Sequence, residues 1–174
     1  MIETALGTSI AFTAPHRLAT KTGFDILENG GTAVEAMVAA AAQIAVVYPH
    51  MNSIGGDGFW LIKKMGQKPF AISACGPAAE QATPEWYEKK GYKSFLPTRG
   101  PMAALTVPGT VAGWKLALEL DNPKRAIPLN ELLSAAIVRA KNGIAVTKNQ
   151  HETLAAKKHQ LVSVSAFKDF YLDK

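Results

Sequence analysis

Residues 30–62 read GGTAVEAMVAAAAQIAVVYPHMNSIGGDGFWLI, and this stretch decides the fold. Thr32 is a favourable N-cap and Glu35 follows three residues later, which predicts a capping box at the start of a helix. The segment is almost entirely apolar as far as Val47, so it predicts a helix that is apolar all round and therefore buried. Pro49 ends the helix, because the residue before a proline is pushed out of the α region. The apolar run is shorter than the roughly 20 residues that cross a bilayer, so we expect no membrane span.

A glycine cluster, Gly55-Gly56-Asp57-Gly58, leads from this helix into an apolar strand beginning at Phe59. The order is helix, glycines, strand, whereas a phosphate cradle runs from strand through glycines into a helix. A tight, crowded turn that only glycine fits is therefore favoured over a nucleotide site. Asp57 could bind a cation, but the acidic spacing of an EF-hand is missing.

The remaining pattern predicts a mixture of helices and short strands. We expect helices over 16–28, 83–91, 108–120, 129–140 and 148–161, the last opened by a Thr147/Gln150 capping box, and strands over 8–13, 59–63, 69–74, 104–107 and 167–172. The small residues of the segment 107–114, VPGTVAGW, would let another element approach the start of its helix closely.

Several of these segments resemble the signature of the γ-glutamyltransferase family. Its pattern "GGNAVDAAVAA…VVEPHSSGIGGGGF" is similar to residues 30–59, with Asp57 in place of a glycine, and its "VPGTVAG" nearly equals residues 107–113. The resemblance implies an α+β fold, a partial αββα sandwich of the N-terminal nucleophile hydrolase type. Residues 1–174 would be a single incomplete domain, the N-terminal part of a large subunit, with apolar sheet face left uncovered.

The resemblance also implies the chemistry. Such enzymes are made as a precursor that cuts itself, and the new N-terminal threonine of the small subunit attacks an amide, with its own α-amino group as base. The "TTH" run that carries this threonine does not occur in residues 1–174. We therefore expect these residues to be inactive alone, as a fragment of an amidohydrolase or acyltransferase for γ-glutamyl or other small amides. The implied partners are the rest of the large subunit, the small subunit and a possible homodimer copy; no cofactor is implied.

A non-catalytic structural or binding domain that retains the fold is the alternative. It predicts no self-cleavage and no threonine after the subunit junction in the parent gene.

Ser73 is the first candidate for substrate binding. Alignment on Pro77 places it where γ-glutamyltransferases carry an arginine that grips the substrate α-carboxylate. A hydroxyl cannot neutralise a carboxylate, so Ser73 argues against recognition of a γ-glutamyl group. Another small amide, such as oxamate or a glutaryl-type side chain, is the alternative substrate. His50 and Asn52 are further candidates near a substrate pocket; satisfying backbone groups at the buried helix end is the favoured alternative for both.

Other reactive side chains have weaker claims. His16 opens a helix and could be a catalytic base, although a cap or surface role is favoured. Cys75 is the single cysteine, which excludes an intramolecular disulfide, and is expected to be a packed thiol rather than a nucleophile. No metal site is expected, because the only suggestive histidine spacing, His151 with His159, is attributed to chance.

Composition limits the remaining classes. The chain is 48% hydrophobic and 19% charged, which is typical of a globular domain. Its net charge is +5, of which +4 comes from Arg139 onward, with seven basic and three acidic residues. A solvated face or an acidic partner segment is favoured over nucleic acid, since no groove-reading motif accompanies the charge. No signal peptide is visible, so a cytoplasmic location is expected unless a leader was removed.

Overall fold

A computed structural model describes residues 6–121, 127–164 and 167–172. The elements in chain order are α1 (Arg17–Glu28), α2 (Ala33–Val47), β1 (Gly58–Ile62), β2 (Phe70–Ala74), α3 (Pro84–Lys89), a 3₁₀ turn (Pro101–Ala103), α4 (Thr110–Asp121), α5 (Leu129–Leu132), α6 (Ser134–Asn142), α7 (Lys148–Leu161) and α8 (Phe167–Tyr171). None of the helices in the described ranges has both the length and the apolar content needed to cross a bilayer.

Helix α2 is the centre of the core, as its sequence predicts. The capping box is complete: Thr32 Oγ1 accepts the Glu35 N–H at 3.1 Å and Glu35 Oε2 accepts the Thr32 N–H at 2.7 Å. The second oxygen of this buried carboxylate accepts the N–H of Ile127 at 2.7 Å, which ties the start of α2 to the segment before α5. Ten of its fifteen residues are buried, which confirms the predicted buried helix, although Ala33 and Met37 on one side are exposed.

The two strands form an antiparallel hairpin whose faces differ. Gly58 pairs with Ala74 and Ile62 with Phe70. The inner face carries Trp60, Ile62, Ile72 and Ala74, which pack against Val34 of α2 and Ala117 of α4. On the outer face Phe59 is 75% exposed and Leu61 is 80% exposed. The described residues therefore hold helices on one side of a sheet whose apolar second face is uncovered, as a partial αββα sandwich predicts.

Helix α4 crosses β2 at very short range, and the glycines of the 107–114 motif make this possible. A Cβ placed on Gly109 would collide with the carbonyl oxygen of Ala74, and one on Gly113 would lie 2.5 Å from the Ala74 Cβ. The predicted close approach is confirmed at these two positions, whereas Ala112 is exposed.

Four predicted elements differ from the structure. Residues 8–13 form no strand; the Phe12 ring packs instead against Gly23 and the α1–α2 core. Residues 104–107 contribute only an isolated bridge between Ala78 and Thr106. The helix predicted over 129–140 is interrupted at Leu133, although Leu132 and Ala136 still share one buried face. The segment 167–172, predicted as a strand, begins with helix α8, because no strand lies beside it in the described residues.

Candidate functional site

Ser73 lies on the uncovered face of the sheet, near the end of β2. It stands opposite Phe59 in the ladder, and its hydroxyl donates a long hydrogen bond of 3.5 Å to Cys75 Sγ. Both side chains are exposed. The prediction that Cys75 is a packed thiol is therefore wrong: it follows the last residue of the strand and points away from the core. Ser73 and Cys75 form a small polar pair at the edge of an apolar face.

The glycine cluster borders this pair, and it is held by α4 and by the end of β2. The carbonyl oxygen of Gly56 accepts three hydrogen bonds, from the N–H groups of Gly109 and Thr110, each at 3.0 Å, and from Thr110 Oγ1 at 2.7 Å. Asp57 Oδ1 accepts the N–H of Gly76 at 3.1 Å. These bonds fix the loop to both elements beside Ser73.

The predicted crowding of this cluster is wrong. A Cβ at Gly56 would meet nothing within 4 Å, and one at Gly58 would make only ordinary contacts. The crowded position lies instead at Gly76, where a Cβ would run into the carbonyl of Val107. The cluster is thus a place where backbone carbonyls and amides are bonded, rather than one where side chains cannot fit.

His50 lies elsewhere, where the end of α2 meets α7. Its ring packs edge-on against Tyr48 with centroids 4.2 Å apart, and its Nε2 lies 2.6 Å from Asn149 Oδ1. The Tyr48 hydroxyl donates to the same oxygen at 3.0 Å. Because that oxygen can only accept, the contact requires a proton on Nε2, and Nδ1 is buried without a hydrogen-bond partner among the described residues. The side chain thus serves a side-chain contact rather than the backbone at the helix end.

A cavity of about 450 Å³ opens beside His50. Its polar lining includes Arg99, Gln150 and Lys157, and one side of it is a face of α7. Gln150 is buried, and its Oε1 has no hydrogen-bond partner in the described part of the chain. Only half of the predicted Thr147/Gln150 capping box is therefore present, the bond from the Gln150 N–H to Thr147 Oγ1 at 3.1 Å. Sequence patterns gave no signal for this grouping, because its members are brought together from distant segments.

Asn52 lines a different groove, of about 590 Å³, between α2 and the free edge of β1. Phe59 and Met37 form part of its apolar wall. The backbone N–H of Asn52 donates to the Tyr48 carbonyl at 3.2 Å, so this residue does satisfy the buried helix end, as one of the two interpretations predicts. The three candidates, Ser73, His50 and Asn52, are therefore not gathered in one cavity, and their part in substrate binding stays a prediction.

His16 is the N-cap of α1. Its Nδ1 accepts the Leu18 N–H at 3.2 Å, which requires that nitrogen to be unprotonated. Burial, followed by repulsion from the adjacent Arg17, lowers the pKa of His16. The capping interpretation of His16 is confirmed. Within residues 6–121, 127–164 and 167–172, no three His, Cys, Asp or Glu side chains come together as a metal site would require.

Solved structures of the same shape define the class. The fold matches solved γ-glutamyltranspeptidases, which are N-terminal nucleophile hydrolases. The Helicobacter pylori γ-glutamyltranspeptidase matches all of this chain and 48% of its own chain, with a TM-score of 0.79 and 30% identity. The Pseudomonas nitroreducens enzyme matches 95% of this chain and 49% of its own, with a TM-score of 0.77 and 28% identity.

The sequence comparisons give the family. A profile of the gamma-glutamyltranspeptidase family matches residues 19–174, and the chain belongs to this family. The oxamate amidohydrolase proenzyme of Klebsiella pneumoniae is 50% identical over 161 residues, which are 91% of this chain and 30% of that protein. The glutathione hydrolase-like YwrD proenzyme of Bacillus subtilis is 38% identical over 151 residues, 86% of this chain and 28% of that protein. The chain thus spans less than a third of the length of these curated relatives.

Proposed function

We propose that residues 1–174 are the N-terminal part of the large subunit of an amidohydrolase that acts on a small amide such as oxamate, in preference to γ-glutamyl compounds. The observation that carries this proposal is the environment of Ser73. Aligned on Pro77, Ser73 takes the position of the family's carboxylate-gripping arginine, and a slip of one residue would give Ile72 or Ala74 instead. In either register no cation is present, since no lysine or arginine occurs between Lys68 and Lys89. The 50% identity to an oxamate amidohydrolase proenzyme supports the same choice of substrate.

The chemistry of the two substrate classes explains why this position discriminates. In a γ-glutamyl compound the α-carboxylate is separated from the scissile carbonyl by three carbon atoms, so a distant cation is needed to hold it. In oxamate the carboxylate is bonded directly to the amide carbonyl. An enzyme for oxamate therefore does not need a cation at the distant position, and a hydroxyl there is sufficient.

The reaction itself would proceed through a nucleophile outside the present 174 residues. The N-terminal threonine of the small subunit would attack the amide carbonyl, with its own α-amino group as base. Ammonia or an amine would leave with a proton, and water would then hydrolyse the acyl-threonine ester. Residues 1–174 would supply the core layer and the border of the substrate site, and alone they would release no product.

The test uses the full-length precursor. Self-cleavage is followed on a denaturing gel, and ammonia release from oxamate is compared with glutamate release from glutathione. We expect two subunits on the gel and a higher kcat/KM for oxamate than for glutathione, with both activities lost when the new N-terminal threonine is replaced by alanine. Glutathione turnover as efficient as that of oxamate would contradict the substrate assignment. An uncleaved and inactive precursor would instead favour a non-catalytic domain.

The proposed partners follow from the exposed side of the sheet. The remaining large subunit and the small subunit would supply the second sheet, which would cover Phe59 and Leu61. A homodimer would add a contact between complete copies.

A further inference from the structure

Asp57 joins the two ends of the hairpin at the border of the proposed substrate site. It immediately precedes β1, and its Oδ1 accepts the N–H of Gly76, two residues beyond the end of β2, at 3.1 Å. Asp57 is exposed. This carboxylate stands where the family pattern has a glycine, which has no side chain.

The strand register places the Asp57 carboxylate near Ser73. Phe59 is level with Ser73 and Gly58 with Ala74, so continuing the register one residue beyond both strands brings Asp57 level with Cys75. Side chains alternate between the faces of a strand, so Asp57 belongs with Phe59 on the uncovered face. Diagonal neighbours on one face of such a ladder lie roughly 7–8 Å apart or less. Ser73 and Cys75, already joined by a hydrogen bond, thus have a fixed negative charge beside them.

This charge is not balanced locally. Asp57 has no ion pair in the described part of the chain. Neither residues 33–62 nor residues 69–88, the two segments that surround it, contain a lysine or arginine. The family pattern has an arginine at the position of Ser73 and a glycine at the position of Asp57. Compared with that pattern, this site lacks one positive charge and has one additional negative charge.

We propose that Asp57 is a specificity-determining residue that disfavours acyl groups carrying a carboxylate remote from the scissile amide. This inference rests on the proposed amidohydrolase function. A distant substrate carboxylate bound at Ser73 would lie close to the Asp57 carboxylate. The two negative charges would repel each other, and in a partly solvated site this repulsion would weaken substrate binding. The carboxylate of a compact substrate such as oxamate stays at the reacting centre and avoids this repulsion.

The experiment compares two substrates that differ only at the distant group: L-γ-glutamyl p-nitroanilide and its analogue with an α-carboxamide in place of the α-carboxylate. The full-length enzyme is assayed with Asp57→Asn, which keeps an oxygen to accept the Gly76 N–H but removes the charge. Glu28→Gln is the matched control, since Glu28 is exposed at the end of α1 and its replacement removes the same charge.

We expect Asp57→Asn to raise the kcat/KM ratio of carboxylate to carboxamide substrate on the order of tenfold, mainly through KM. Glu28→Gln should leave the ratio unchanged within about twofold, because its charge is screened by solvent. High salt should shrink the difference between Asp57→Asn and the native enzyme.

The outcomes separate this inference from the function on which it rests. An active enzyme whose ratio does not change with Asp57→Asn would overturn the role of Asp57 and leave the amidohydrolase function standing. A cleaved precursor that hydrolyses no amide, oxamate included, would overturn both. Asp57→Gly tests the hydrogen bond separately: it should show the same change of ratio with lower kcat for both substrates, because the Gly76 segment loses its anchor.

Discussion

Gly113 and Ala74 touch where helix α4 crosses strand β2, and no side chain larger than hydrogen fits at the helix position. A Cβ on Gly113 would lie 2.5 Å from the Ala74 Cβ, far inside contact distance. Helix α4 and the sheet are therefore in direct contact at this crossing. Gly109, one turn earlier, is constrained in the same way, because a Cβ there would collide with the Ala74 carbonyl oxygen. The same helix start holds the glycine cluster through Gly56. The geometry at the border of the proposed site therefore depends on this contact.

We predict that Gly113→Val destabilises the protein by about 1–3 kcal/mol, the usual cost of overpacking a well-packed core. The added side chain can be accommodated only if helix α4 and strand β2 move apart. Urea unfolding followed by tryptophan fluorescence measures the effect, since Trp114 is buried at this crossing.

Gly56→Val is the matched control for that variant. A Cβ at Gly56 would meet nothing within 4 Å, so the loss of stability in Gly56→Val should be well below that of Gly113→Val. Equal losses at the two glycines would show that the crossing is less rigid than its geometry indicates.

A second prediction concerns the buried carboxylate of Glu35. Its two oxygens accept the backbone N–H groups of Thr32 and Ile127, both at 2.7 Å. Glu35→Gln replaces one acceptor oxygen by a donor, so one partly buried N–H loses its partner, at a cost of about 1–3 kcal/mol. Denaturant unfolding measures this loss, and amide hydrogen exchange should be faster at Thr32 or at Ile127, whichever N–H loses its acceptor.

Glu131→Gln serves as control for this effect because Glu131 is exposed in the first turn of α5. Its replacement should change the unfolding free energy by less than about 0.5 kcal/mol. Unchanged exchange at both Thr32 and Ile127 in Glu35→Gln would mean that the carboxylate does not hold these two segments.

Local signals in the sequence predicted much of the fold. The Thr32/Glu35 capping box, the all-apolar α2 and the hairpin of β1 and β2 depend on neighbours within a few residues, and all are present. The strands predicted for residues 8–13 and 167–172 were wrong, because a strand needs a partner strand and local sequence does not show whether one is present. Phe12, which fits a strand pattern, is used instead to fill the space over Gly23.

The candidate site was predictable only in part, since its contacts depend on tertiary approach. The departure of Asp57 from the family's glycine was visible in the sequence, but its bond to Gly76 was not. The contact between His50 and Asn149 spans 99 residues, and nothing in either segment indicates the other. Crowding was assigned to the glycines at 55–58, whereas the close contacts occur at Gly76, Gly109 and Gly113, because only the path of α4 decides which backbone is approached.

His16 gives a prediction of pH dependence. Its pKa is lowered in the folded state by burial and by Arg17, and the unprotonated Nδ1 is needed to cap α1. The unfolded chain therefore binds the proton first as pH falls. The contribution of His16 to stability is complete above its ordinary pKa of about 6.5 and is lost as pH falls through the lower folded value.

The variant His16→Asn keeps a good N-cap and does not titrate. Its unfolding free energy should fall less than that of the native protein between pH 7.5 and pH 5, as measured by urea unfolding at each pH. His151→Asn, on the exposed face of α7, should retain the native pH dependence. A parallel decline of the native protein and His16→Asn would show that other groups govern the acid side.

The tie between α7 and the core is testable at Asn149. Its Oδ1 accepts from both Tyr48 and His50, and this is the polar link between α7 and the end of α2. Asn149→Ala should speed amide exchange throughout α7 while changing global stability by only about 1 kcal/mol, because the link is exposed. Asn130→Ala on α5, which removes a similar exposed amide, should leave α7 protection intact. Slow exchange of α7 in Asn149→Ala would place its anchor in the apolar lining of the nearby cavity.

The uncovered sheet face gives the last prediction. Leu61 is 80% exposed beside Phe59, and in the proposed complete sandwich the second sheet would bury it. Burial of a leucine side chain contributes about 1.5–3 kcal/mol, and a lysine there would add the cost of a buried charge. Leu61→Lys should therefore reduce assembly and self-cleavage of the full-length precursor, seen as residual uncleaved chain on a denaturing gel. Met65→Lys introduces the same charge at the fully exposed hairpin turn, where no second sheet would lie, and should cleave normally. Normal cleavage of Leu61→Lys would mean that this face stays open in the mature protein, which would contradict the two-sheet arrangement at this position.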